Sequence, residues 1–346
     1  MKNLKKLTRL LCALLLPTLI LLVVACSPQK SEPPLPSDET SPFVGNAACE
    51  PCHAAEFTSH QKTHHMATMQ EATRAGLGAL APEPGQIPGV GMLTEQQGRF
   101  VVNDLPLQLV LGSGKTGMTF IALSDDSCTE IQTSYFPHEK LWRTTPGQEK
   151  PKAMAGQVGR IVIGQEAQRC LGCHAVTLPE NSLQVERRFF GVGCESCHGP
   201  GREHVAAMGK GEKPAKLAIE SLKNAGGEQL NTLCGSCHRT QDDVGPLSKS
   251  TNRFQPYGLS LSRCFKESKD KLTCVTCHSP HEDAGTDPKP YEKACLSCHS
   301  APKKACPVNP KEKCVGCHMP ERPAFEVGDT PTKMADHFIK IYRANR

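Results

Sequence analysis

The amino-acid sequence predicts a mostly α-helical chain with a small β-rich insertion, in which something other than side chains fills much of the interior. Only 5% of the 346 residues are aromatic and a single Trp is present, so a core rich in aromatic side chains is not available. Nineteen cysteines exceed the usage of an ordinary cytosolic enzyme, which indicates metal, disulfides or covalent cofactor attachment. Strand-like patterns are confined to residues 81–165, where they occur at Phe100-Val-Val, Gln108-Leu-Val-Leu, Met118-Thr-Phe-Ile-Ala-Leu and Ile131-Gln-Thr-Ser-Tyr-Phe.

The first 25 residues resemble an export signal. Four basic residues precede an apolar run from Leu10 to Ala25, which is short for a spanning helix of about 20 residues. The run ends in Val-Val-Ala-Cys26, which resembles a bacterial lipobox, so Cys26 is the expected lipidation site; an uncleaved anchor is the alternative. We therefore expect an exported, lipid-anchored protein on the periplasmic side or at the outer membrane, attached to the membrane through its N-terminal lipid.

The charge balance excludes one class of partner. The formal net charge is +5, and removal of the four basic residues of the leader would bring it to about +1. Nucleic-acid binding requires a basic stripe, and the sequence has none, so no nucleic-acid partner is expected.

One short motif, Cys-x-x-Cys-His, occurs seven times and uses fourteen of the nineteen cysteines. This is the attachment signature of c-type haem. The cysteine pairs are Cys49 and Cys52, Cys170 and Cys173, Cys194 and Cys197, Cys234 and Cys237, Cys274 and Cys277, Cys295 and Cys298, and Cys314 and Cys317. The histidines that follow them are His53, His174, His198, His238, His278, His299 and His318.

The spacing suits the chemistry of haem attachment. Two thiols one helical turn apart can bond the two vinyl groups of one porphyrin, and the adjacent imidazole becomes an axial ligand of its iron. Zinc or disulfides would explain Cys-x-x-Cys pairs, but neither requires a His after every pair. The sequence therefore predicts seven covalently attached haem c groups with iron, whose porphyrins replace the missing aromatic core.

Seven further histidines could complete the irons. The predicted distal ligands are His204, His281, His337 and one of His64 and His65, with His60 and His138 as weaker candidates. A predicted helix over Thr58–Arg74 would place His60 and His64 on one face and His65 about 100° away. If every iron gains a second ligand, the haems are six-coordinate and suited to electron transfer, whereas an open iron could bind a small molecule. Met66, Met69 and Met319 are alternative sulfur ligands.

Three other features of the sequence lie outside the haem motifs. The stretch Gly112-Ser-Gly-Lys-Thr116 lacks the first Gly of a phosphate loop and is interpreted as a hairpin turn. Cys264 and Cys306 flank two haem motifs and could form a disulfide in an oxidising compartment, with Cys128 left as an unpaired buried thiol.

The predicted organisation has five parts. Residues 1–25 form the signal peptide, 26–41 a flexible tether rich in Pro and charge, 42–80 the first haem-binding segment, 81–165 a β-rich insertion without haem, and 166–346 a six-haem region. The fold class is thus a mostly α, haem-packed chain with little regular structure between its motifs.

Several stretches resemble multihaem c-type cytochromes. They are Phe43-Val-Gly with the first motif and His64-His65-Met66; Gly191-Val-Gly-Cys-Glu-Ser-Cys-His-Gly-Pro-Gly; Cys264-Phe through Cys274-Val-Thr-Cys-His-Ser-Pro-His281; and Cys314-Val-Gly-Cys-His-Met-Pro. The resemblance is to the broad class that includes the four-haem cytochrome of ammonia oxidisers, hydroxylamine oxidoreductase and octahaem tetrathionate reductase. It implies haems stacked in close pairs that form a wire. The chain has no Cys-x-x-Cys-Lys motif, which argues against a lysine-ligated reductase.

These observations lead to two hypotheses. The first is an electron-transfer protein that relays electrons between redox partners in the cell envelope, such as other cytochromes or a quinol-linked complex. The alternative is an oxidoreductase that acts on a small nitrogen or sulfur compound at one open iron, near Tyr135, His138 and Trp142. A haem-rich filament subunit is a weaker third option.

Overall fold

Antiparallel strands occupy much of the chain between Met69 and Ile163. They are β1 (Met69–Glu71), β2 (Gly85–Ile87), β3 (Gly91–Gln96), β4 (Arg99–Val102), β5 (Leu105–Pro106), β6 (Leu109–Leu111), β7 (Thr119–Leu123), β8 (Ser127–Ile131), β9 (Thr133–Phe136), β10 (Leu141–Thr144) and β11 (Gly159–Ile163). One sheet has the order β1-β6-β7-β8-β11, a second β2-β3-β4-β5, and β9 pairs with β10 as a hairpin. Short apolar runs separated by Gly and Asp turns explain this meander of strands.

The strands enclose the main side-chain core. Phe100, Phe120 and Met118 are fully buried in it, and Trp142 packs against its edge. A second cluster joins the five-stranded sheet to the helix that follows β11, through Val162, Ala167 and other apolar residues. The conventional hydrophobic core of this protein therefore lies in its β-rich part and at the boundary with the second haem motif.

The other segments carry short helices joined by loops. The helices are α1 (Ala54–His60), α2 (Arg74–Leu77), α3 (Gly164–Gly172), α4 (Cys194–His198), α5 (Arg202–Gly209), α6 (Gly227–His238), α7 (Gln241–Val244), α8 (Gln255–Leu261), α9 (Arg263–Glu267), α10 (Lys289–His299) and α11 (Cys314–His318). A final hairpin pairs β12 (Glu321–Pro323) with β13 (Lys333–Ala335).

These features belong to a computed structural model that describes residues 41–150, 156–211, 218–244, 251–301, 306–309, 311–325 and 331–342. Pro42–Arg346 form one compact unit. The predicted signal peptide, Cys26 and residues 26–40 of the tether lie outside the described residues. Within these ranges no helix has both the length and the apolar character that a bilayer-spanning segment needs.

The prediction of a mostly α fold is wrong. About a third of the described residues are helical and about a fifth lie in strands, in four sheets. Most helices around the motifs have only 4–9 residues, the longest being α6 with 12 and α10 with 11, so they contribute little helical content. The fold is mixed α and β, and the five-part division of the chain stays a prediction.

The predicted helix over Thr58–Arg74 is also wrong, because α1 ends at His60. The Thr63 hydroxyl donates to the His60 carbonyl at 2.7 Å, and the Ser59 hydroxyl donates to the distant His281 carbonyl at 2.8 Å. Asp283 accepts from the backbone N–H of His64 at 2.7 Å. The Thr63 hydroxyl and the Asp283 carboxylate thus satisfy the His60 carbonyl and the His64 N–H, which a longer helix would have paired with each other.

Candidate haem sites

The seven Cys-x-x-Cys-His motifs lie in helical turns or at helix ends. The third and seventh form α4 and α11, the fourth and sixth end α6 and α10, the second ends α3, and the fifth begins with the 3₁₀ turn Cys274–Thr276. In the first motif the His53 N–H donates to the Cys49 carbonyl at 2.9 Å, which closes a single turn. A helical turn places the two thiols of a motif on one side, as attachment to one porphyrin requires.

Backbone carbonyls hold several of the imidazoles through Nδ1. The acceptors are the carbonyls of Thr68 for His174 (3.0 Å), Glu220 for His198 (2.9 Å), Lys340 for His318 (2.9 Å) and Ala335 for His337 (3.0 Å). A carbonyl can only accept, so Nδ1 carries the proton and Nε2 keeps its lone pair. Histidines that ligate metals are usually oriented by such a bond on the other ring nitrogen. These side chains are therefore prepared to ligate iron through Nε2.

Three motif histidines face a second imidazole. Ring centroids are 6.4 Å apart for His198 and His281, 6.2 Å for His278 and His337, and 6.1 Å for His238 and His65. A metal held between two imidazoles at about 2 Å from each nitrogen separates the centroids by roughly 6 Å. The observed spacings match this separation, and in each of the three pairs one ring belongs to a haem motif.

Burial keeps these rings in the ligating form. It lowers the pKa of His65, His174, His238, His278 and His281, and it lowers the pKa of His337 to about 4. Imidazole must be neutral to bind a metal. The ring spacing, the Nδ1 hydrogen bonds and the neutral state together show that these residues fit haem iron.

The remaining predicted ligands lie in different surroundings. His65 faces a motif histidine, whereas the His64 side chain is 42% exposed and its Nε2 lies 3.5 Å from Asp283. His60 is 7% exposed, with Nε2 2.9 Å from the Val192 carbonyl and no partner at Nδ1. His204 is half-buried on α5. Of His64 and His65, His65 is therefore the better ligand candidate.

The first, fourth and sixth motif histidines, His53, His238 and His299, are exposed. A cavity of about 680 Å³ opens beside α1, directly after His53, and is lined by one face of that helix with Glu282 and Asp283.

Tyr135, His138 and Trp142 do not converge on a site. The Tyr135 and Trp142 rings pack 5.1 Å apart, and Trp142 also packs 5.6 Å from Phe120 in the β-rich core. His138 is exposed in the turn between β9 and β10. The residues proposed for an open-iron site thus serve packing and a hairpin turn. Met69, considered as an alternative sulfur ligand, is 2% exposed and packs in the side-chain core.

Glu195, inside the third motif, is a residue that sequence reasoning missed. It is 3% exposed, and its carboxylate accepts backbone N–H bonds from Val44 (3.0 Å), Gly45 (2.7 Å) and Gly201 (2.7 Å). It thereby joins the first haem segment to the Gly-Pro-Gly loop after the third motif. A Glu also follows the first Cys of the first motif, where Glu50 is exposed, so the sequence offered no signal to distinguish the two.

The loop before the third motif approaches the first segment closely. Gly191 has a φ of 80°, and a Cβ there would meet the Met66 carbonyl oxygen. Asn46 Oδ1 accepts from the Cys194 N–H at 2.8 Å. Glycine is needed at this approach because any side chain would collide with the neighbouring backbone.

The cysteines outside the motifs are free thiols among the described residues. Cys264 is half-buried and Cys306 exposed, so the disulfide considered between them is not formed. Cys128 is buried in β8, where burial raises its pKa to about 11.

Comparison with known proteins supports the haem assignment. Residues 126–199, which include the second and third motifs, match the family model of cytochrome c554 and c-prime. The C-type polyheme cytochrome OmcC of Geobacter sulfurreducens is 34% identical over 142 residues, which are 37% of this chain and 16% of that protein. The chain therefore corresponds to only a small part of this curated relative.

The fold also has a counterpart among solved structures. The outer cell wall cytochrome OcwA superposes with a TM-score of 0.53 at 17% identity, over 87% of this chain and 80% of that one. The undecaheme cytochrome from the S-layer of Carboxydothermus ferrireducens gives a TM-score of 0.48 at 16% identity, over 87% and 53%.

The motifs and these matches agree on the class of protein. The matched part of the chain is similar to multihaem c-type cytochromes, and this similarity, together with the seven motifs, supports covalently bound haem c with iron. That part of the prediction is confirmed.

Proposed function

We propose that this chain is a seven-haem, lipid-anchored cytochrome that relays electrons one at a time between redox partners in the cell envelope. The proposal also places it in the class that contains the four-haem nitrifier cytochrome and hydroxylamine oxidoreductase. The observation that carries the relay function is the set of facing imidazoles, since a second ligand on an iron leaves no position for a substrate.

The chain's own residues prepare each site. In our assignment His198 and His281, His238 and His65, and His278 and His337 supply the axial nitrogens, and the paired cysteines supply the covalent bonds. Haem iron, when bound, supplies a centre that changes charge by one electron. The carbonyls that hold Nδ1 prevent the rings from turning, so the ligand geometry can stay the same in both oxidation states.

We propose the redox partners from the net charge of the haem-loaded protein. The sequence is almost neutral without its leader, and each haem adds two propionates, so the loaded protein is acidic. We expect it to dock to basic faces of other cytochromes or of a quinol-linked complex, with rates that fall as salt rises. Rates indifferent to ionic strength would contradict this docking. The lipid at Cys26 would keep the protein at the periplasmic side or at the outer membrane.

Electron paramagnetic resonance of the oxidised protein tests the relay function, integrated against total haem from a pyridine haemochrome assay. Seven haems are expected, with low-spin iron at the three sites whose imidazoles face one another. Fewer than three low-spin irons in the unmodified protein, with carbon monoxide binding, would overturn the relay and favour an oxidoreductase acting on a small nitrogen or sulfur compound.

A matched pair of variants tests the ligand assignment. His281→Ala should convert one iron to high spin, because it removes the ring that faces His198. His138→Ala should change no iron, because His138 is exposed in a hairpin turn. Equal spectra for the two variants would contradict the assignment.

A further inference from the structure

Thiols of different motifs touch one another at three places. Hydrogen bonds join Cys49 to Cys194, Cys173 to Cys237, and Cys234 to Cys274. These contacts link the first motif to the third, the second to the fourth, and the fourth to the fifth. The order of contact in space therefore differs from the order along the chain.

Backbone contacts support the same neighbours independently. Asn46 Oδ1, just before the first motif, accepts from the Cys194 N–H at 2.8 Å. The Cys173 thiol lies 3.9 Å from the carbonyl oxygen of Ser236, inside the fourth motif. At the start of α6 the Gly227 N–H donates to the Asp270 carbonyl at 3.0 Å, which fastens that helix to the segment leading into the fifth motif.

The fourth motif also meets the third. The Cys197 thiol lies near those of Cys234 and Cys237, whose negative charge, if they ionised, would raise its pKa. The buried ring of His60 lies between His65, which faces the fourth motif, and His281, which faces the third, at centroid distances of 6.4 and 6.1 Å. The fourth motif therefore has three neighbouring motifs: the second, the third and the fifth.

Covalent attachment turns these contacts into haem neighbours. Each thiol becomes a thioether at the edge of its own porphyrin, so two thiols in contact bring two porphyrin edges together. Electron transfer between haems becomes faster as their edges approach. A wire that followed the sequence would couple the second haem to the first and third instead.

We propose that the haem attached at Cys234 and Cys237 is a three-way branch point, through which electrons pass among the haems of the second, third and fifth motifs. This inference rests on the proposed relay function. The second haem is then the end of a side branch beside the β-rich part, where His174 is held by the Thr68 carbonyl. Electrons that enter there can leave towards the first motif or towards the C-terminal motifs.

Magnetic coupling between irons tests the branch. Cys234→Ser/Cys237→Ser removes the fourth haem, and Cys170→Ser/Cys173→Ser removes the second as a matched control; mass spectrometry counts the remaining haems. In electron paramagnetic resonance we expect loss of the fourth haem to change the signals of three of the six remaining irons, and loss of the second to change one. Changes in two or fewer signals after loss of the fourth haem would indicate an unbranched wire and overturn the proposal.

A second measurement applies if the variant lacking the fourth haem does not mature. His65→Ala should mark the fourth iron as high-spin while keeping all haems. Removal of the second haem, of the third by Cys194→Ser/Cys197→Ser, or of the fifth by Cys274→Ser/Cys277→Ser should each then change the marked signal, and removal of the seventh by Cys314→Ser/Cys317→Ser should not. A marked signal that responds to two or fewer of the first three removals, or equally to all four, would refute the branch. A haem count other than seven in the unmodified protein would instead refute the proposed function.

Discussion

Replacement of Glu195 tests how the third haem motif is held in the fold. The carboxylate is 3% exposed and accepts from three backbone N–H groups, on Val44, Gly45 and Gly201. Hydrogen bonds to a charged group contribute about 1.5–3 kcal/mol each. The cost of burying the carboxylate offsets part of this sum. We therefore expect Glu195→Ala to lower the free energy of unfolding by about 3–5 kcal/mol.

The conservative variant should be milder. In Glu195→Gln the amide oxygen can still accept a hydrogen bond, but the NH₂ group would face a backbone donor. We therefore expect this variant to lower the free energy of unfolding by about 2 kcal/mol. The assay is urea unfolding of the haem-loaded protein, followed by circular dichroism, with the haem count checked for each variant.

Glu50 supplies the matched control, because it occupies the same position of the first motif and is exposed. Glu50→Ala should change the free energy of unfolding by less than about 0.5 kcal/mol. If Glu195→Ala and Glu50→Ala gave the same small change, the argument that the buried carboxylate fastens the third motif would be refuted.

Iodoacetamide at about pH 8 should label Cys306, where backbone hydrogen bonds lower the thiol pKa, and spare Cys128, whose pKa burial raises to about 11; equal labelling in the native protein would contradict this. Burial lowers the pKa of His337 from 6.5 to about 4, so the unfolded chain binds more protons between these values. The urea midpoint should therefore fall as pH drops from 7 to 5, and an unchanged or higher midpoint would oppose this. His65→Gln should produce a high-spin iron and His64→Gln none; the reverse result would exchange their roles.

The strands show how much of the fold could be predicted. The sequence predicted strands around Phe100, Leu109, Phe120 and Tyr135, and β4, β6, β7 and β9 lie there. The predicted fold class, mostly α, was nevertheless wrong, because the helices around the motifs are short and the sheets extend back to Met69. Local patterns identify a strand, but the share of helix in a fold depends on where other contacts end each element, as Asp283 does for α1 by accepting from the His64 N–H.

The sequence by itself determined the class of cofactor, because attachment is local: two thiols and an imidazole within five residues define a haem c site whatever surrounds them. The tertiary structure alone placed His65 opposite His238, His281 opposite His198 and His337 opposite His278. It also brought thiols of separate motifs into contact and surrounded Glu195 with backbone donors. These contacts join residues far apart in sequence, and only packing of the whole chain brings such residues together.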